Sequence, residues 1–308
     1  MSYRLRGVPS PRSTATELAD FLEVECLISS SGVFSVTEAA QEMGVVDDES
    51  TPEDEERDAI ECFRNSLSLI EDRNRMTNNH YPFRSNVLSV EFDKECDSLS
   101  RDVYIFLLLA TRENMRDNKK VNELDGTLLF ERLCAEILKN FFGEHSCTFI
   151  LGTGNLDKTS FQVKLQELLD SFREKGYCVT PVPNNPYYKD AGIDVIAFIP
   201  FHDERHGHFV CFAQCKTGTS WESCISRLQP IVLTDYIQPP LAPIPGKMFL
   251  ISDDYQERDW RDKINILQGV LFDRTRLMAY LPESIDAELH TAIIEWNKGV
   301  LNRCNLHS

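Results

Sequence analysis

Two short apolar segments carry polar residues that together can build a metal-dependent site. Asp194 lies near the start of Ile193–Phe198, and Gln214 and Lys216 end the segment Phe209–Lys216. Carboxylate and amide oxygens are suitable ligands for Mg²⁺, which keeps several waters and takes few protein ligands. A nearby lysine can orient an attacking water or offset charge on a phosphate. The simpler alternative is a structural ion pair between Asp194 and Lys216, but that pair would not require the amide of Gln214.

These segments are predicted to form the two strands of a hairpin. Both are rich in β-branched and aromatic residues, and a polar turn from Phe201 to Gly207 joins them. Because side chains alternate between the faces of a strand, Gln214 and Lys216 project from one face. The other face carries small residues that can pack under a helix: Cys211, Ala213 and Cys215. Asp194 meets the polar pair if its side chain faces the same way.

A third candidate ligand lies on a predicted helix over Gly126–Phe142, which ends before Gly143. Its apolar arc consists of Phe130, Leu133, Cys134, Ile137, Leu138 and Phe141. Glu131 lies at the margin of that arc and is placed to face a cleft, whereas Glu136 is expected on the solvent side. The alternative is that Glu131 is only a boundary residue of an amphipathic helix.

The three motifs form a recognisable combination in this order: Phe130-Glu131 on a helix, Gly192-Ile193-Asp194 on a strand, and Gln214-x-Lys216 on the next strand. The combination resembles the PD-(D/E)XK nuclease superfamily, especially the Mrr-type restriction endonucleases and the archaeal Holliday-junction resolvases. The resemblance covers about residues 125 to 281. It implies an α/β (α+β) fold, with a restriction-endonuclease-like mixed sheet flanked by helices.

The resemblance also implies a chemistry. Glu131, Asp194 and Gln214 would hold Mg²⁺, with Mn²⁺ as a substitute, while Lys216 would serve the water that attacks a phosphodiester bond of DNA. The third motif usually supplies Glu or Asp, and the Mrr-type branch has Gln, as here. The site then carries one charge fewer, which leaves the number of ions open. A prokaryotic restriction or anti-phage role with a helicase or ATPase partner is implied as well.

Further elements of an α/β layer architecture are predicted around these motifs. They are helices over Ser160–Lys175, Trp221–Leu228 and Asp259–Gln268, and strands over Lys247–Ser252 and Arg276–Leu281. Gly152–Asn155 is interpreted as a loop, and Pro181–Lys189 as a surface loop whose aromatic and basic residues can also contact nucleic acid. His202, His206 and His208 are interpreted as a solvated turn rather than a second metal site.

The length of 308 residues predicts two domains: a mostly helical one over residues 1–120 and a nuclease domain over residues 121–308. The first is expected to contain helices over Thr16–Ser29, Ser35–Glu42 and Asp58–Asp72, with a small wing-like sheet in Pro82–Phe92. This arrangement resembles a winged-helix module. Assembly or regulation through protein docking is at least as strongly indicated as DNA reading.

Charge is the main argument against a nuclease that acts alone. The formal net charge is −17, and nucleic-acid affinity rests largely on Lys and Arg. Part of the excess is local, since Asp47–Glu61 holds nine acidic residues and only Arg57, and this segment is interpreted as a solvated linker or helix start. The charge predicts a partner protein that supplies nucleic-acid binding, or activity that awaits assembly, and leaves homo-oligomerisation open.

Two other classes remain as alternatives. A nuclease-fold subunit without catalytic activity would use its acidic surface to dock a basic partner. An acidic winged-helix transcription factor would require a basic face on the N-terminal domain, which the sequence does not provide. Convergence of Glu131, Asp194, Gln214 and Lys216 on one cleft would favour the enzyme.

Cysteine usage and hydropathy indicate the cellular compartment of the protein. Ten cysteines occur without a Cys-x-x-Cys pair, and no signal peptide opens the chain, which predicts reduced thiols in a cytoplasm. No apolar run approaches the roughly 18 to 20 residues of a membrane span. The short run Tyr104–Ala110 is predicted to be a buried helix.

Overall fold

A computed structural model gives the bounds of the elements. It describes residues 3–45, 52–151, 161–172, 174–179, 192–201, 203–230, 236–255 and 259–305. Two predicted loops, Gly152–Asn155 and Pro181–Lys189, lie outside the described residues, as does His202. The acidic segment lies partly outside them, and from Pro52 onward its backbone is helical.

Side-chain caps fix the starts of several helices. The helices are α1 (Ala15–Ile28), α2 (Val36–Glu42), α3 (Pro52–Met76), α4 (Ser98–Arg112), α5 (Gly126–Phe142), α6 (Phe161–Ser171), α7 (Trp260–Leu267), α8 (Arg274–Ala279) and α9 (Ala287–Asn305). Thr14 and Ser35 each form a capping box with the glutamate three residues later. Asp125 caps α5 by accepting a hydrogen bond from Thr127 N. The predictions of α1, α2 and α5 are therefore confirmed to within a residue or two.

The central sheet combines a hairpin with parallel strands. The strands are β1 (Val33–Ser35), β2 (Phe83–Ser85), β3 (Ser89–Phe92), β4 (Lys120–Val121), β5 (Leu124–Asp125), β6 (Cys147–Ile150), β7 (Cys178–Val179), β8 (Val195–Ile199), β9 (Phe209–Lys216), β10 (Ile237–Gln238), β11 (Gly246–Ile251) and β12 (Val270–Phe272). Five of them form one sheet in the order β12-β11-β9-β8-β6. β12, β11 and β9 are parallel, while β8 is antiparallel to both β9 and β6. The predicted hairpin of β8 and β9 and the mixed sheet are confirmed.

The central sheet has an apolar cluster on each face. On one face, Ala213 and Cys215 pack in a cluster that includes residues of α5 and of the N-terminal helices. On the other face, Phe212 and Phe249 pack with α6 and with Trp221. Helices thus cover both faces, as the α/β prediction requires. The boundary at residue 120 stays a prediction, and residues on both sides of it contribute to the first cluster.

The N-terminal region has helices and a small sheet near the predicted positions. β1, β3 and β2 form an antiparallel three-stranded sheet, in which β2 and β3 make a hairpin. The predicted small sheet in Pro82–Phe92 is therefore confirmed. The helix predicted over Asp58–Asp72 lies within the longer α3.

Buried charges connect these helices to the end of the central sheet. Asp20 on α1 accepts hydrogen bonds from Arg73, Arg112 and Arg274 over distances of 2.6–2.9 Å. All four side chains are buried. Arg73 also pairs at 2.6 Å with Asp254, which follows β11. Because a buried charge is tolerated only with its partners, this network holds α1, α3, α4 and α8 against the end of β11.

One predicted strand is wrong. The segment Arg276–Leu281 was expected to be the last strand, but that strand is β12 and most of the segment belongs to α8 or the turn that follows it. The reason is local, because an oxygen of Asp273 accepts a hydrogen bond from Arg276 N at 3.0 Å and so caps a new helix. An apolar run this short has no periodicity that distinguishes a strand from a helix.

Other predicted elements differ in extent. The helix expected over Trp221–Leu228 is a single 3₁₀ turn at Trp221–Cys224, and Ser220 makes no side-chain capping hydrogen bond there. The helix expected over Ser160–Lys175 is observed as α6, which ends at Ser171. The strand and helix predicted over Lys247–Ser252 and Asp259–Gln268 are confirmed as β11 and α7.

The histidine-rich turn between β8 and β9 is only partly solvated. His206 is exposed as predicted, but His208 is buried, so the prediction of a solvated turn is wrong for that residue. Both imidazoles hydrogen-bond the buried carboxylate of Glu174. Burial alone would raise the pKa of Glu174, but hydrogen bonds from Tyr177, His208 and His206 lower it to about 2. The turn is therefore held by a structural carboxylate.

The apolar run Tyr104–Ala110 lies within α4 and is buried, as predicted. Within the described ranges, none of the helices has both the length and the apolar character that a membrane crossing requires. All ten cysteines are free thiols.

Candidate functional site

The hairpin brings Asp194 and Lys216 to the same end of the sheet. Val195 of β8 lies opposite Ala213 of β9, so Asp194 precedes the paired residues and Lys216 ends its strand. Lys216 Nζ lies 3.8 Å from Asp194 Oδ2, and the side chains are 33% and 10% exposed, respectively. The same carboxylate oxygen accepts a hydrogen bond from Cys215 N at 2.7 Å. The backbone of β9 therefore fixes the carboxylate beside the ammonium group.

Gln214 adds a buried oxygen on the same face of β9. Its neighbours on the strand, Ala213 and Cys215, pack into the opposite apolar cluster, so the predicted alternation is confirmed. Gln214 is 3% exposed, and its Oε1 atom has no hydrogen-bond partner within the described part of the chain. A buried polar atom left unpaired costs about 1–3 kcal/mol. An ion or a water molecule at this position would remove that cost.

Glu131 approaches this end of the sheet from α5. The helix runs opposite to β9, since Phe142 packs on Phe209 at the start of the strand, with ring centroids 5.6 Å apart. Near the other end, Cys134 of α5 lies beside Cys215 of β9 in the same apolar cluster. Glu131 lies one turn before Cys134 and is therefore level with the last residues of β9. It is half-buried at the helix margin, and Glu136, which was expected on the solvent side, is half-buried too.

The two carboxylates act on the same pair of thiols. Burial raises the pKa of Cys134, and the negative charges of Glu131 and Asp194 raise it further. Burial likewise raises the pKa of Cys215 well above its ordinary value, with added contributions from Cys134 and from the same two carboxylates. Glu131 and Asp194 therefore border one small region, from the helix and from the hairpin.

The donor set can be tested against a hard divalent cation. Asp194 and Gln214 supply a carboxylate and an unpaired amide oxygen, while Glu131 approaches the same end of the sheet from α5, which packs on the face of β9 opposite to Gln214. In the described residues, no group of three or more His, Cys, Asp or Glu side chains is arranged to hold a metal ion. An ion would therefore depend on the Gln214 amide and on several waters, a coordination that Mg²⁺ commonly adopts. With that composition, the residues fit Mg²⁺.

Sequence reasoning did not predict what packs around Gln214. Gly192 has φ of +73°, and a Cβ there would lie 2.9 Å from Gln214 Nε2 and 3.7 Å from the backbone oxygen of Arg227. The glycine therefore allows the amide to lie against the backbone that leads to Asp194. Its place in the Gly-Ile-Asp motif was the available signal, whereas nothing in the sequence linked Arg227 to the site.

Comparisons with known proteins assign neither a family nor a function to the chain. The chain matches no protein-family model, no curated protein and no solved structure. Its function has to be argued from its own residues.

Replacing Gly192 with alanine should weaken metal use. A non-glycine residue in the left-handed region costs about 1–2 kcal/mol, and the new methyl group would also displace the Gln214 amide. We expect the Gly192→Ala variant to unfold at lower urea concentration and, if Mg²⁺ binds at Gln214, to need a higher Mg²⁺ concentration for half-saturation in calorimetry.

Gly44→Ala is the matched control, because Gly44 has φ of +64° and a Cβ there would meet nothing within 4 Å. It should lose similar stability while its Mg²⁺ requirement stays unchanged. Equal Mg²⁺ requirements in both variants would show that the position of Gln214 does not matter to metal use.

Proposed function

We propose that this protein is a metal-dependent nuclease that hydrolyses phosphodiester bonds of DNA with a PD-(D/E)XK set of residues. The observation that carries the proposal is the 3.8 Å separation of Lys216 Nζ from the Asp194 carboxylate, beside the unpaired buried oxygen of Gln214. A structural ion pair would explain the distance alone. It would not explain why a buried amide oxygen is left without a partner on the same strand face.

In the proposed reaction, Asp194, Gln214 and Glu131 would hold Mg²⁺. When bound, the ion supplies positive charge that stabilises the phosphate in the transition state. Lys216 orients the attacking water and offsets the negative charge that develops on the phosphate. The hydrogen bond from Cys215 N keeps the Asp194 carboxylate in place while this happens.

The biological context follows from the family resemblance and the charge. We propose an effector subunit of a prokaryotic restriction or anti-phage defence system, working in the cytoplasm with a helicase or ATPase partner. The net charge of −17 supports a partner, because an acidic protein gains little non-specific attraction to nucleic acid. The N-terminal helices would mediate assembly or regulation.

The same charge favours one rival function. A nuclease-fold subunit without catalytic activity would dock a basic partner on its acidic surface. The lack of a cluster of three metal-binding acidic, histidine or cysteine side chains in the described residues favours this rival too.

The first test is cleavage by the purified chain. Plasmid DNA, linear DNA and RNA would be incubated with Mg²⁺, Mn²⁺ or a chelator. We expect DNA cleavage that needs the metal and that Asp194→Ala and Glu131→Ala abolish. Glu136→Ala is the control, because Glu136 is half-buried on the same helix but lies outside the proposed site.

The outcomes separate the two functions. Metal-dependent cleavage lost in both site variants and kept in Glu136→Ala supports the nuclease. Cleavage of RNA alone would change the substrate. Absence of cleavage, both alone and with a co-purified partner, would support the inactive subunit.

A further inference from the structure

A nuclease with an acidic surface needs positive charge at the place where the nucleic-acid backbone lies. We propose that Arg4 and Arg227 bind the phosphates that flank the scissile bond, one on each side of Lys216. This inference rests on the proposed nuclease function. It names the surface that grips the substrate, and its ligand is the sugar-phosphate backbone of nucleic acid rather than a particular base sequence.

Arg4 is held beside the turn that follows Lys216. Its Nη1 atom donates hydrogen bonds to the backbone oxygens of Glu113 at 3.1 Å and Thr111 at 3.5 Å. A Cβ on Gly218, two residues after Lys216, would lie 4.0 Å from that same Nη1 atom. Arg4 is nevertheless exposed, and no ion pair of its side chain occurs within the described residues. Its charge is therefore fixed in place and open to solvent.

The loop that carries Arg227 lies on the Asp194 side, where its backbone rather than its side chain is the part in contact with the motif. The backbone oxygen of Arg227 lies 3.7 Å from the position of a Cβ on Gly192, two residues before Asp194. Arg227 is exposed, while its neighbours Ile225 and Leu228 anchor the loop in the apolar core. Across the described ranges, the Arg227 side chain makes no hydrogen bond or ion pair with another residue. The loop is thus fixed by packing, and its cation faces solvent.

The two arginines come from opposite faces of the sheet. The segment of Arg4 packs through Tyr3 and Leu5 into the cluster shared with the N-terminal helices. The loop of Arg227 packs into the cluster on the other face. The strand ends that carry Asp194 and Lys216 lie between them. A nucleic-acid strand that crosses this edge would meet positive charge before and after the proposed site.

Phosphate is the ligand that this arrangement suits. Arginine pairs with phosphate oxygens through charge-assisted hydrogen bonds in a planar, often bidentate geometry. Contacts of this kind position a duplex without reading its sequence. Salt screens acidic residues that lie more than roughly 8–10 Å away, but Glu17, Glu222 and Asp253 line the cleft at Thr219 and act against the two cations at short range.

The test measures binding separately from cleavage. The full chain carrying Asp194→Asn would be titrated with a short DNA duplex in chelator over a series of salt concentrations, with and without Arg4→Ala and Arg227→Ala. Each lost phosphate contact should reduce the slope of log affinity against log salt by about 0.9. The double variant should therefore lose about 1.8 in slope and bind more weakly at low salt. Arg4→Lys and Arg227→Lys should keep the slope, since the charge remains.

Arg205→Ala is the control, because Arg205 is 84% exposed but lies in the turn at the other end of β8 and β9. The Arg205→Ala variant should bind the duplex as the parent does.

An unchanged slope in the double variant, or no duplex binding by the parent chain, would overturn the proposal. In the cleavage-competent chain, the double variant should raise KM and leave kcat near that of the parent, which also shows that it is folded. If duplex binding depends on both arginines but no cleavage occurs, the phosphate surface stands and the nuclease proposal fails. If cleavage occurs and the arginine substitutions do not change duplex binding, the nuclease proposal stands and the proposed phosphate surface fails.

Discussion

Lys216→Ala should reduce the rate of DNA cleavage by about 10²–10⁴-fold, the usual contribution of a positioned proton-transfer or charge-stabilising group. Lys216 lies 3.8 Å from Asp194 but is not one of the proposed metal ligands. The loss should therefore fall on kcat, while Mn²⁺ binding measured by calorimetry stays close to that of the parent. Asp194→Ala, by contrast, should lose both cleavage and Mn²⁺ binding. This difference separates a residue that serves the water from one that holds the ion.

Lys247→Ala provides the matched control for that comparison. Lys247 is half-buried like Lys216 but lies at the start of β11, where it pairs with Phe212 rather than with the end of β9. The Lys247→Ala variant should cleave DNA at nearly the rate of the parent. A Lys216→Ala variant that cuts as fast as Lys247→Ala would leave the 3.8 Å contact as an ordinary ion pair.

The elements around the candidate site could be predicted because local signals determine them. The alternation along Phe209–Lys216 assigned Gln214 and Lys216 to one face, and the structure confirms that face. Apolar periodicity and the glycine at position 143 marked the helix that carries Glu131, and the structure adds Asp125 as its cap. Period and capping are properties of neighbouring residues, so a single sequence contains them.

Contacts between distant segments could not be predicted in the same way. Glu174 and His208 meet across 34 positions of the chain, and nothing local to either residue indicates the other. Arg4 and Gly218 are likewise adjacent only after folding. The position of β12 was missed for a related reason, since the Asp273 cap decided between strand and helix where the apolar pattern did not.

The buried charges did leave a signal in the sequence. Asp20 and Glu23 interrupt the otherwise apolar run Leu18–Val24 of α1, and Arg112 comes two residues after the apolar run Tyr104–Ala110 of α4. Charged residues are rarely buried unless they are paired. Such positions indicate that partners exist, but the identity of the partners depends on how α1, α3, α4 and α8 pack.

This network supports the second large prediction: Asp20→Asn should destabilise the fold by about 3–5 kcal/mol. The carboxylate accepts hydrogen bonds from three buried arginines, and the amide would leave their positive charges undercompensated. The effect should also reach the candidate site. Arg274 Nε and Thr111 Oγ1 both donate to the backbone oxygen of Ser252, whose N–H donates to the backbone oxygen of Lys216 at 3.1 Å. Urea denaturation at neutral pH measures the loss.

Asp72→Asn is the control, because Asp72 forms an exposed pair with Arg75 on α3 and should contribute about 0–1 kcal/mol.

The pH dependence of stability gives a second check. Burial alone would raise the pKa of Asp20, but Arg112, Arg274 and Arg73 lower it well below its ordinary range. A carboxyl group whose pKa is lowered by folding stabilises the protein above its unfolded pKa of about 3.9 and loses that contribution as the pH falls. The stability gap between the parent and Asp20→Asn should therefore narrow below about pH 4. A gap as small as that of Asp72→Asn at neutral pH would mean that the three arginines do not depend on Asp20.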